Sequence, residues 1–463
     1  MTILKYSLIG VGLIVGISYL FNQGGNQKAP KLGDQWWGPG KEQKIVKDVV
    51  PFKVNFSKGD IEDLKTRLKN TRNLTPALEN AGWTYGVDGK FVPKIVDYWL
   101  NKYDFKKREQ YLNQYDQFVT NIQGLNIHFL HVKPKNSGGK RVLPLLIQHG
   151  WPGSVVEFYK IIPMLTTPRD DYDFVFEVIA PSLPGFGFSS GAVRPGLGAA
   201  QIAVVLKNLM LRLGFNKFYT QGGDWGAIIT AHMAALFPEH VLGIHSNMCA
   251  VLQPQTFFTT YLYSYWPSLL VPDEDYHLMY PLSKKWSRTI EETGYFHIQA
   301  TKPDTLGAAL ADSPAGLAAW ILEKFSTGTN PELRFKEDGG LFDIHSPDEL
   351  LDNVMLYWMP NSMTTAIRIY AETFSAANRA LRMDYVPIEV PSACAQFPHE
   401  ISYQPPSLLS ARYKKLIRAR KMPKGGHFAA FEQPQLLADE VWTSIGIMEA
   451  DKKQREDKLK KSA

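Results

Sequence analysis

The stretch Gly222-Gly223-Asp224-Trp225-Gly226-Ala227 stands near the middle of the 463-residue chain and decides its fold class. It has the G-x-S-x-G outline of a nucleophile elbow, in which glycines relieve the crowding of a tight strand-to-helix turn. The central residue is Asp224, where such turns usually carry serine. The stretch therefore predicts an α/β fold that presents a carboxylate nucleophile.

Predicted strands and helices alternate around this turn. Short strands, most of them apolar runs typical of buried parallel strands, are predicted at 142–148, 174–180, 217–221 and 387–396, with a half-exposed strand at 126–132. A helical pattern at 201–213 separates two of these runs. The alternation of strand, loop and helix predicts a mostly parallel, doubly wound sheet.

The chain divides into six predicted segments. They are a transmembrane anchor (1–22), a linker with an N-terminal segment (23–125), a first part of the α/β core (126–252), a helical lid or cap (253–365), a second part of the core (366–450) and a charged tail (451–463). Within the lid, residues 308–325 are predicted to form one amphipathic helix. Because the lid separates the elbow from the strand at 387–396, we expect it to cover the carboxyl edge of the sheet, where ligands bind in open α/β folds.

The N-terminus has the composition of a membrane anchor. Residues 3–21 are almost wholly apolar, and a helix of this length reaches about 28 Å, close to the hydrocarbon thickness of a bilayer. A cleaved signal peptide is the alternative, but no small-residue cleavage site follows the apolar run, so a retained anchor is favoured. Lysines after the span predict that the body of the protein faces the cytosol. Cys249 and Cys394 are too few for a disulfide framework and agree with that reduced compartment.

The charge of the chain gives no sign of a nucleic-acid partner. The formal net charge of +6 is small for 463 residues, and 21% of the residues are charged. The densest basic run, at 451–463, is mixed with acidic residues and is typical of a solvated end. The sequence has no CxxC or His-x-x-x-His spacing, so neither a metal nor an organic cofactor is predicted.

A histidine and an acid are expected after the nucleophile in chain order. His427 lies beyond the last predicted strand in the glycine-flanked motif at 425–432 and is the candidate base. Glu400 follows the strand at 387–396 and is the candidate acid that orients it. The rivals of Glu400 are Asp343, Asp348 and Asp352, because some proteins of this architecture take the acid from an earlier strand.

Two backbone N–H groups are candidates for an oxyanion hole. In an elbow, the N–H after the nucleophile is one donor, which here belongs to Trp225. The second donor comes from the loop after an earlier strand, where His149-Gly150-Trp151-Pro152 offers the N–H of Trp151. Trp151, Pro152 and Trp225 are also candidates for contacting the substrate.

Aspartate in place of serine changes the reaction that the turn supports. A carboxylate that attacks an acyl carbon gives a labile anhydride, whereas attack on a saturated carbon gives a stable alkyl ester that a histidine-activated water can hydrolyse. This chemistry selects epoxides or alkyl halides. An epoxide also needs an O–H donor for the alkoxide, and Tyr295 and Tyr370 are candidates, although the spacing of either is typical of a core residue.

These motifs together resemble those of the microsomal epoxide hydrolases, which have the α/β-hydrolase fold. The resemblance extends from the anchor to about residue 440 and rests on the stretches 149–154, 222–226, 294–305 and 425–432. It implies that 36–132 is the family's N-terminal segment, that Glu400 is the partner of His427, and that Tyr295 and Tyr370 donate protons during ring opening.

Within that family, the stretch 358–366 looks most like the insect juvenile hormone epoxide hydrolases. It would imply hydrolysis of the hormone's epoxide to a diol at the endoplasmic reticulum membrane, with a general xenobiotic epoxide hydrolase as the alternative. A haloalkane dehalogenase is the enzymatic rival, and an inactive hydrolase-fold protein that binds lipids is the rival of a different class. The expected partners are a lipophilic epoxide, water and, through the anchor, membrane lipid.

Overall fold

The computed structural model describes residues 27–42 and 48–462, and within them a nine-stranded sheet carries the fold. Its strands are β1 Val49–Phe52, β2 Gln117–Ile122, β3 Leu125–Val132, β4 Arg141–Gln148, β5 Phe174–Pro181, β6 Phe218–Gly222, β7 Val241–Ser246, β8 Ile388–Gln396 and β9 Tyr413–Lys421. Their order is β1-β2-β3-β5-β4-β6-β7-β8-β9. Strands β4 to β9 pair in parallel, and the other pairs are antiparallel. The predicted mostly parallel sheet is confirmed.

The sheet extends into the N-terminal segment, for which the sequence predicted no strand before residue 126. Strands β1 and β2 add to the antiparallel edge of the sheet. β1 has only four residues, and the first three are exposed, so no alternation of apolar and polar residues marks it. The N-terminal segment is therefore part of the same sheet as the core.

Helices pack around the sheet and form the insertion between β7 and β8. They are α1 Lys58–Lys69, α2 Phe91–Asn101, α3 Phe105–Leu112, α4 Ile162–Thr166, α5 Ala199–Arg212, α6 Asp224–Leu236, α7 Pro254–Leu262, α8 Tyr276–Met279, α9 Leu282–Glu292, α10 Gly294–Thr301, α11 Pro303–Asp312, α12 Pro314–Thr329, α13 Pro347–Trp358, α14 Met363–Thr373, α15 Ala376–Ala380, α16 Pro406–Leu409, α17 Ala429–Glu432 and α18 Pro434–Ser462. Helices α7 to α15 lie between β7 and β8 in the chain, as expected for an inserted helical lid.

The lid departs from prediction at residues 308–325, which form parts of two helices. α11 ends at Asp312 and α12 begins at Pro314, with a bend of 119° between them. Proline lacks an N–H donor and disfavours helical backbone in the residue before it, which is Ser313. The Ser313 side chain then caps α12 by accepting a hydrogen bond from the N–H of Gly316. The prediction of one helix is wrong, and the break lets α11 pack on α14 while α12 packs on α13.

Across 27–42 and 48–462, no single helix is both long and apolar enough to cross a bilayer. Helices α11 and α12 reach that length and composition only as the bent pair. The predicted anchor at 1–22 lies outside the described residues.

Cys249 and Cys394 form a disulfide, which corrects the expectation of reduced cysteines. The two residues are 145 positions apart in the chain, so their spacing gave no sign of pairing. They become neighbours because β7, which precedes Cys249, pairs in parallel with β8, which contains Cys394. The disulfide thus joins the two halves of the sheet across the lid insertion.

The elbow requires glycine on both sides of Asp224. A Cβ on Gly222 would lie 2.3 Å from the backbone of Gly226, and a Cβ on Gly226 would lie 2.1 Å from the carbonyl oxygen of Gln148. Asp224 itself has φ +49°, in the left-handed region that residues with a side chain rarely adopt. Strained backbone of this kind persists at functional sites when the surroundings over-determine it.

A buried ion pair ties the N-terminal segment to α13. The Nε and Nη2 atoms of Arg108, on α3, donate hydrogen bonds to the Asp352 carboxylate, which also accepts from the hydroxyl of Tyr103 at 2.8 Å. Asp352 has 0% of its surface exposed. The pair is therefore screened from water on both sides.

Replacing Asp352 with alanine is expected to lower the free energy of unfolding by about 3 kcal/mol, because the buried Arg108 would keep only the more distant carboxylate of Asp348, 3.7 Å from Nη1, as a counter-charge. Urea denaturation of the variant would measure the loss. Asp343→Ala is the matched control, since the partner of Asp343 is the half-exposed Lys336 and such surface pairs contribute about 0–1 kcal/mol. Equal effects of the two substitutions would contradict this account.

Candidate active site

Asp224, His427 and Glu400 meet at the carboxyl edge of the sheet. Asp224 follows β6, Glu400 lies in the loop after β8, and His427 lies in the loop after β9. The Nε2 atom of His427 is 3.1 Å from Oδ2 of Asp224, and its Nδ1 atom is 2.7 Å from Oε1 of Glu400. Parallel strands bring these loops to one edge, which is the site of ligand binding in such sheets. The structure thus assembles the predicted nucleophile, base and acid.

The rival acids lie elsewhere. Asp352 pairs with Arg108, Asp343 pairs with Lys336, and Asp348 accepts a hydrogen bond from the hydroxyl of Tyr98. Within the described part of the chain, Glu400 is the carboxylate that bonds to Nδ1 of His427.

Two neighbouring carboxylates shift the pKa of His427. Burial alone would lower its pKa, but the neighbouring carboxylates of Glu400 and Asp224 outweigh burial and raise the pKa of His427 well above its ordinary value. The imidazole is therefore held as a cation between two carboxylates. Removing the negative charge of either carboxylate would make it easier for the His427 imidazolium to lose a proton.

One of the two predicted oxyanion donors contacts the Asp224 carboxylate. The backbone N–H of Trp151 donates to Oδ1 of Asp224 at 2.8 Å. A Cβ on Gly150 would lie 2.0 Å from the same oxygen, so glycine at 150 lets the carboxylate approach the loop. Trp225 is in the first turn of α6, where backbone N–H groups have no acceptor within the helix. The Trp151 N–H thus contacts the carboxylate directly, and the Trp225 N–H follows Asp224 at the start of α6.

Helix α13 holds the loop that carries Trp151, a role that the sequence analysis did not assign. The side-chain amide of Asn353 donates to the carbonyl oxygen of Pro152 at 2.8 Å and accepts from the hydroxyl of Ser154 at 2.7 Å. The hydroxyl of Tyr357 donates to the carbonyl oxygen of Gly153 at 2.6 Å. In the sequence, the signal for this role was an asparagine within a largely apolar helix, where the structure shows its side chain to be buried.

The two candidate tyrosines line the same cavity as Asp224. The Tyr295 ring stacks on Trp151 with centroids 5.2 Å apart, and the Tyr370 ring meets Trp225 edge-on at 4.7 Å. The centroids of the two tyrosines are 6.2 Å apart. Burial raises the pKa of both phenols above the ordinary value, so both keep their protons at neutral pH. They are placed to donate, not to accept, a proton.

A cavity of about 460 Å³ opens beside Asp224 and the two tyrosines. Its wall is mainly apolar and includes Ala227, Ile228, Met248, Leu252, Phe296 and Phe374. Charged side chains, among them Arg379, Asp384 and Arg412, also line it. Cavities of this size and character bind small lipophilic molecules. Trp225 lines this cavity, whereas Trp151 and Pro152 line a smaller cavity of about 130 Å³ that also borders His427 and Tyr295.

Two further carboxyl groups surround His427, and neither was predicted. Glu432, within the motif at 425–432, accepts hydrogen bonds from the N–H groups of Gly426 and Phe428, each at 3.1 Å. Burial raises the pKa of Glu432 to about 8. Burial likewise raises the pKa of Glu157 to about 8, and Glu157 lines a small cavity with Asp224 and His427.

Family models and known proteins match this chain. A model described as "Epoxide hydrolase N terminus" matches residues 49–158, and one described as "alpha/beta hydrolase fold" matches 144–267. Juvenile hormone epoxide hydrolase 1 of Ctenocephalides felis is 51% identical over 435 residues, covering 93% of each chain. Epoxide hydrolase 1 of Sus scrofa is 44% identical, covering 94% of this chain and 97% of the relative.

A solved structure agrees with these sequence relatives. The crystal structure of juvenile hormone epoxide hydrolase from the silkworm Bombyx mori superposes with a TM-score of 0.89 at 50% identity. The match covers 90% of this chain and 99% of that one. With relatives this similar over nearly its full length, the chain belongs to the epoxide hydrolase family of the α/β-hydrolase fold.

Proposed function

We propose that this enzyme hydrolyses lipophilic epoxides to vicinal diols through a covalent ester on Asp224. The observation that carries the proposal is the environment of that carboxylate. Oδ1 is held by the Trp151 N–H, Oδ2 faces His427, and an apolar cavity beside them also contains two protonated tyrosines. A serine hydrolase needs no such acid pair, whereas opening an epoxide does.

In the first step, a carboxylate oxygen of Asp224 attacks one epoxide carbon and the carbon–oxygen bond breaks. Tyr295 and Tyr370 hydrogen-bond to the leaving oxygen and supply the proton that converts the alkoxide to a hydroxyl. Both tyrosines line the cavity that Asp224 also lines, which suits a substrate in contact with all three side chains. The product is a hydroxyalkyl ester of Asp224.

In the second step, water attacks Cγ of the Asp224 ester, with His427 as base. Esterification removes the negative charge of Asp224, which is one of the two charges that raise the pKa of His427. The pKa of His427 then falls, so the imidazolium releases its proton to solvent, from which the tyrosinate left by ring opening regains its own, and the neutral imidazole can accept a proton from water. The Trp151 N–H, with that of Trp225, stabilises the oxyanion formed on the aspartyl oxygen. Collapse of the intermediate releases the diol.

Glutamine in place of Glu400 is expected to slow the second step by about 10²-fold or more, because the uncharged amide no longer supports protonation of His427. Single-turnover measurements would follow formation and decay of the ester separately. Glu389→Gln is the matched control, since Glu389 is exposed on β8, the strand before the loop that carries Glu400. A Glu400→Gln enzyme with unchanged ester decay would exclude Glu400 as the orienting acid.

Juvenile hormone is our proposed substrate within the lipophilic epoxides. The flea and silkworm relatives are named for that hormone, and the apolar cavity of about 460 Å³ suits a long apolar chain. The Sus scrofa relative, at 44% identity, is named epoxide hydrolase 1 without mention of the hormone, so a general epoxide hydrolase is the alternative. Values of kcat/KM for juvenile hormone and cis-stilbene oxide, measured side by side, would decide between them. Preference for the hormone by less than about tenfold, or 1.4 kcal/mol, would favour the general enzyme.

A haloalkane dehalogenase remains the enzymatic rival because it would use the same nucleophile. The tyrosine pair favours an epoxide, since a halide leaves without needing a proton. Assays with an epoxide and a chloroalkane of the same carbon chain would separate the two. We expect diol from the epoxide, and halide release without diol formation would contradict the proposal. An inactive lipid-binding protein would convert neither compound.

We further propose that residues 1–22 anchor the enzyme in the endoplasmic reticulum membrane with the catalytic body in the cytosol. The apolar run at 3–21 and the lysines after it support this arrangement. The Cys249–Cys394 disulfide would be unusual in the cytosol, so the orientation needs a direct test. In sealed microsomes, external protease should digest the body. Protection of the body until detergent is added would place it in the lumen.

A further inference from the structure

A much smaller cavity, separate from the substrate cavity, also borders Asp224. Its volume is about 20 Å³, which is enough for one water molecule. His427, Glu157 and Asn247 line it together with Asp224. Asp224 is the one described residue that borders both this cavity and the large one. A water here would stay beside the carboxylate while a substrate fills the large cavity.

Glu157 is the unexplained group in this small cavity. It follows the loop that carries Trp151 and lies in a short 3-10 turn, Val155–Phe158. A Cβ on Gly153 would lie only 1.4 Å from Oε1 of Glu157, so the carboxyl group occupies the space that a side chain at 153 would fill. Glycine at 153 therefore makes room for this carboxyl group beside the catalytic residues.

The charges around Glu157 favour its neutral form. Burial raises its pKa to about 8; cationic His427 opposes this shift, while the Asp224 and Glu432 carboxylates add to it. The backbone N–H of Ser154 also opposes the shift. A protonated carboxyl group can still accept a hydrogen bond through its carbonyl oxygen. It can thus hold a water without adding a second negative charge next to the nucleophile.

We propose that Glu157 positions the hydrolytic water in this small cavity, an inference that rests on the ester mechanism proposed above. The water oxygen forms a bond to Cγ of the Asp224 ester. One of its protons passes to Nε2 of His427, and the other stays hydrogen-bonded to the Glu157 carbonyl oxygen. The tetrahedral intermediate then breaks its bond to the alkyl-bearing oxygen, which takes the proton from His427 and leaves as the diol. Glu157 is a positioning residue, because it neither gains nor loses a proton in this step.

Single-turnover kinetics with Glu157→Leu and Glu157→Gln would test this role. We expect the leucine variant to form the ester at a rate within about twofold of wild type but to hydrolyse it at least about tenfold more slowly, the effect of losing one hydrogen bond. Glutamine retains a carbonyl acceptor of the same shape, so it should restore most of the hydrolysis rate. A role in folding alone would not separate the two steps in this way.

Gly153→Ala gives a second test that leaves Glu157 intact. The added methyl group collides with Oε1 of Glu157, so the carboxyl group must move. We again expect slower ester hydrolysis with little change in ester formation. If Glu157→Leu and Gly153→Ala both hydrolyse the ester at the wild-type rate, or slow both steps equally, the inference is wrong. If wild type forms no ester at all, the proposed function fails instead.

Discussion

Replacing His427 with glutamine is expected to stop the catalytic cycle at the ester. A carboxylate nucleophile needs no base to attack the epoxide, so ester formation should continue. Hydrolysis of the ester requires His427 to take a proton from water, so steady-state turnover should fall by at least about 10⁴-fold. Mass analysis of the peptide that contains Asp224 should then show the mass of the substrate added in nearly every molecule.

His277→Gln is the control for this experiment, because His277 is exposed in the lid. It should turn over at the wild-type rate with no ester accumulating. Diol production by His427→Gln at a rate near that of wild type would mean that another group activates the water. An inactive variant with unmodified Asp224 would mean that His427 acts before the ester forms.

Removal of the hydroxyls of Tyr295 and Tyr370 is expected to have an equally large effect on the first step, formation of the ester. Tyr295→Phe or Tyr370→Phe alone should slow ester formation by about 10²-fold, because the remaining hydroxyl still donates to the leaving oxygen. The double variant should lose about 10⁴-fold, since the alkoxide would then form in a dry apolar cavity without a donor. Stopped-flow measurement of ester formation would give these rates directly.

Tyr98→Phe is the matched control for the tyrosine variants. The Tyr98 hydroxyl bonds to Asp348, away from the catalytic residues, so its loss should leave ester formation unchanged. In all these variants, ester decay should keep its wild-type rate, because the tyrosines act on the epoxide oxygen. A double phenylalanine variant that still forms the ester at the wild-type rate would remove the tyrosines from the mechanism.

Much of the sheet and the nucleophile could be predicted because both depend on short-range patterns. The elbow needs glycine at 222 and 226 for steric reasons that any sequence with this turn must meet. The bounds of β4, β5 and β6 differ from the predicted ones by at most one residue at each end. Chain order and the glycines before it then predicted His427 beyond the last predicted strand, at 387–396, although β9 itself was not predicted.

Features that depend on distant contacts were not predictable. Glu157 and Asn353 acquire their roles only when the loop after β4 packs against α13 and the catalytic histidine. Strand β1 is short, exposed and without alternation, so only its pairing with β2 defines it. The Cys249–Cys394 disulfide follows from the pairing of β7 with β8 across an insertion. In the lid, the apolar pattern predicted one helix, but Pro314 begins a new helix instead.

The central claim is that Asp224 bonds to the substrate, and oxygen tracing in a single turnover tests it most directly. With enzyme in excess over epoxide in water enriched in ¹⁸O, the first diol should carry an unlabelled oxygen taken from Asp224. The water oxygen should appear instead in the Asp224 side chain, raising the mass of its peptide by about 2 Da per label exchanged. Label in the first diol, with the Asp224 peptide unchanged, would show direct attack by water on the epoxide and would contradict the account.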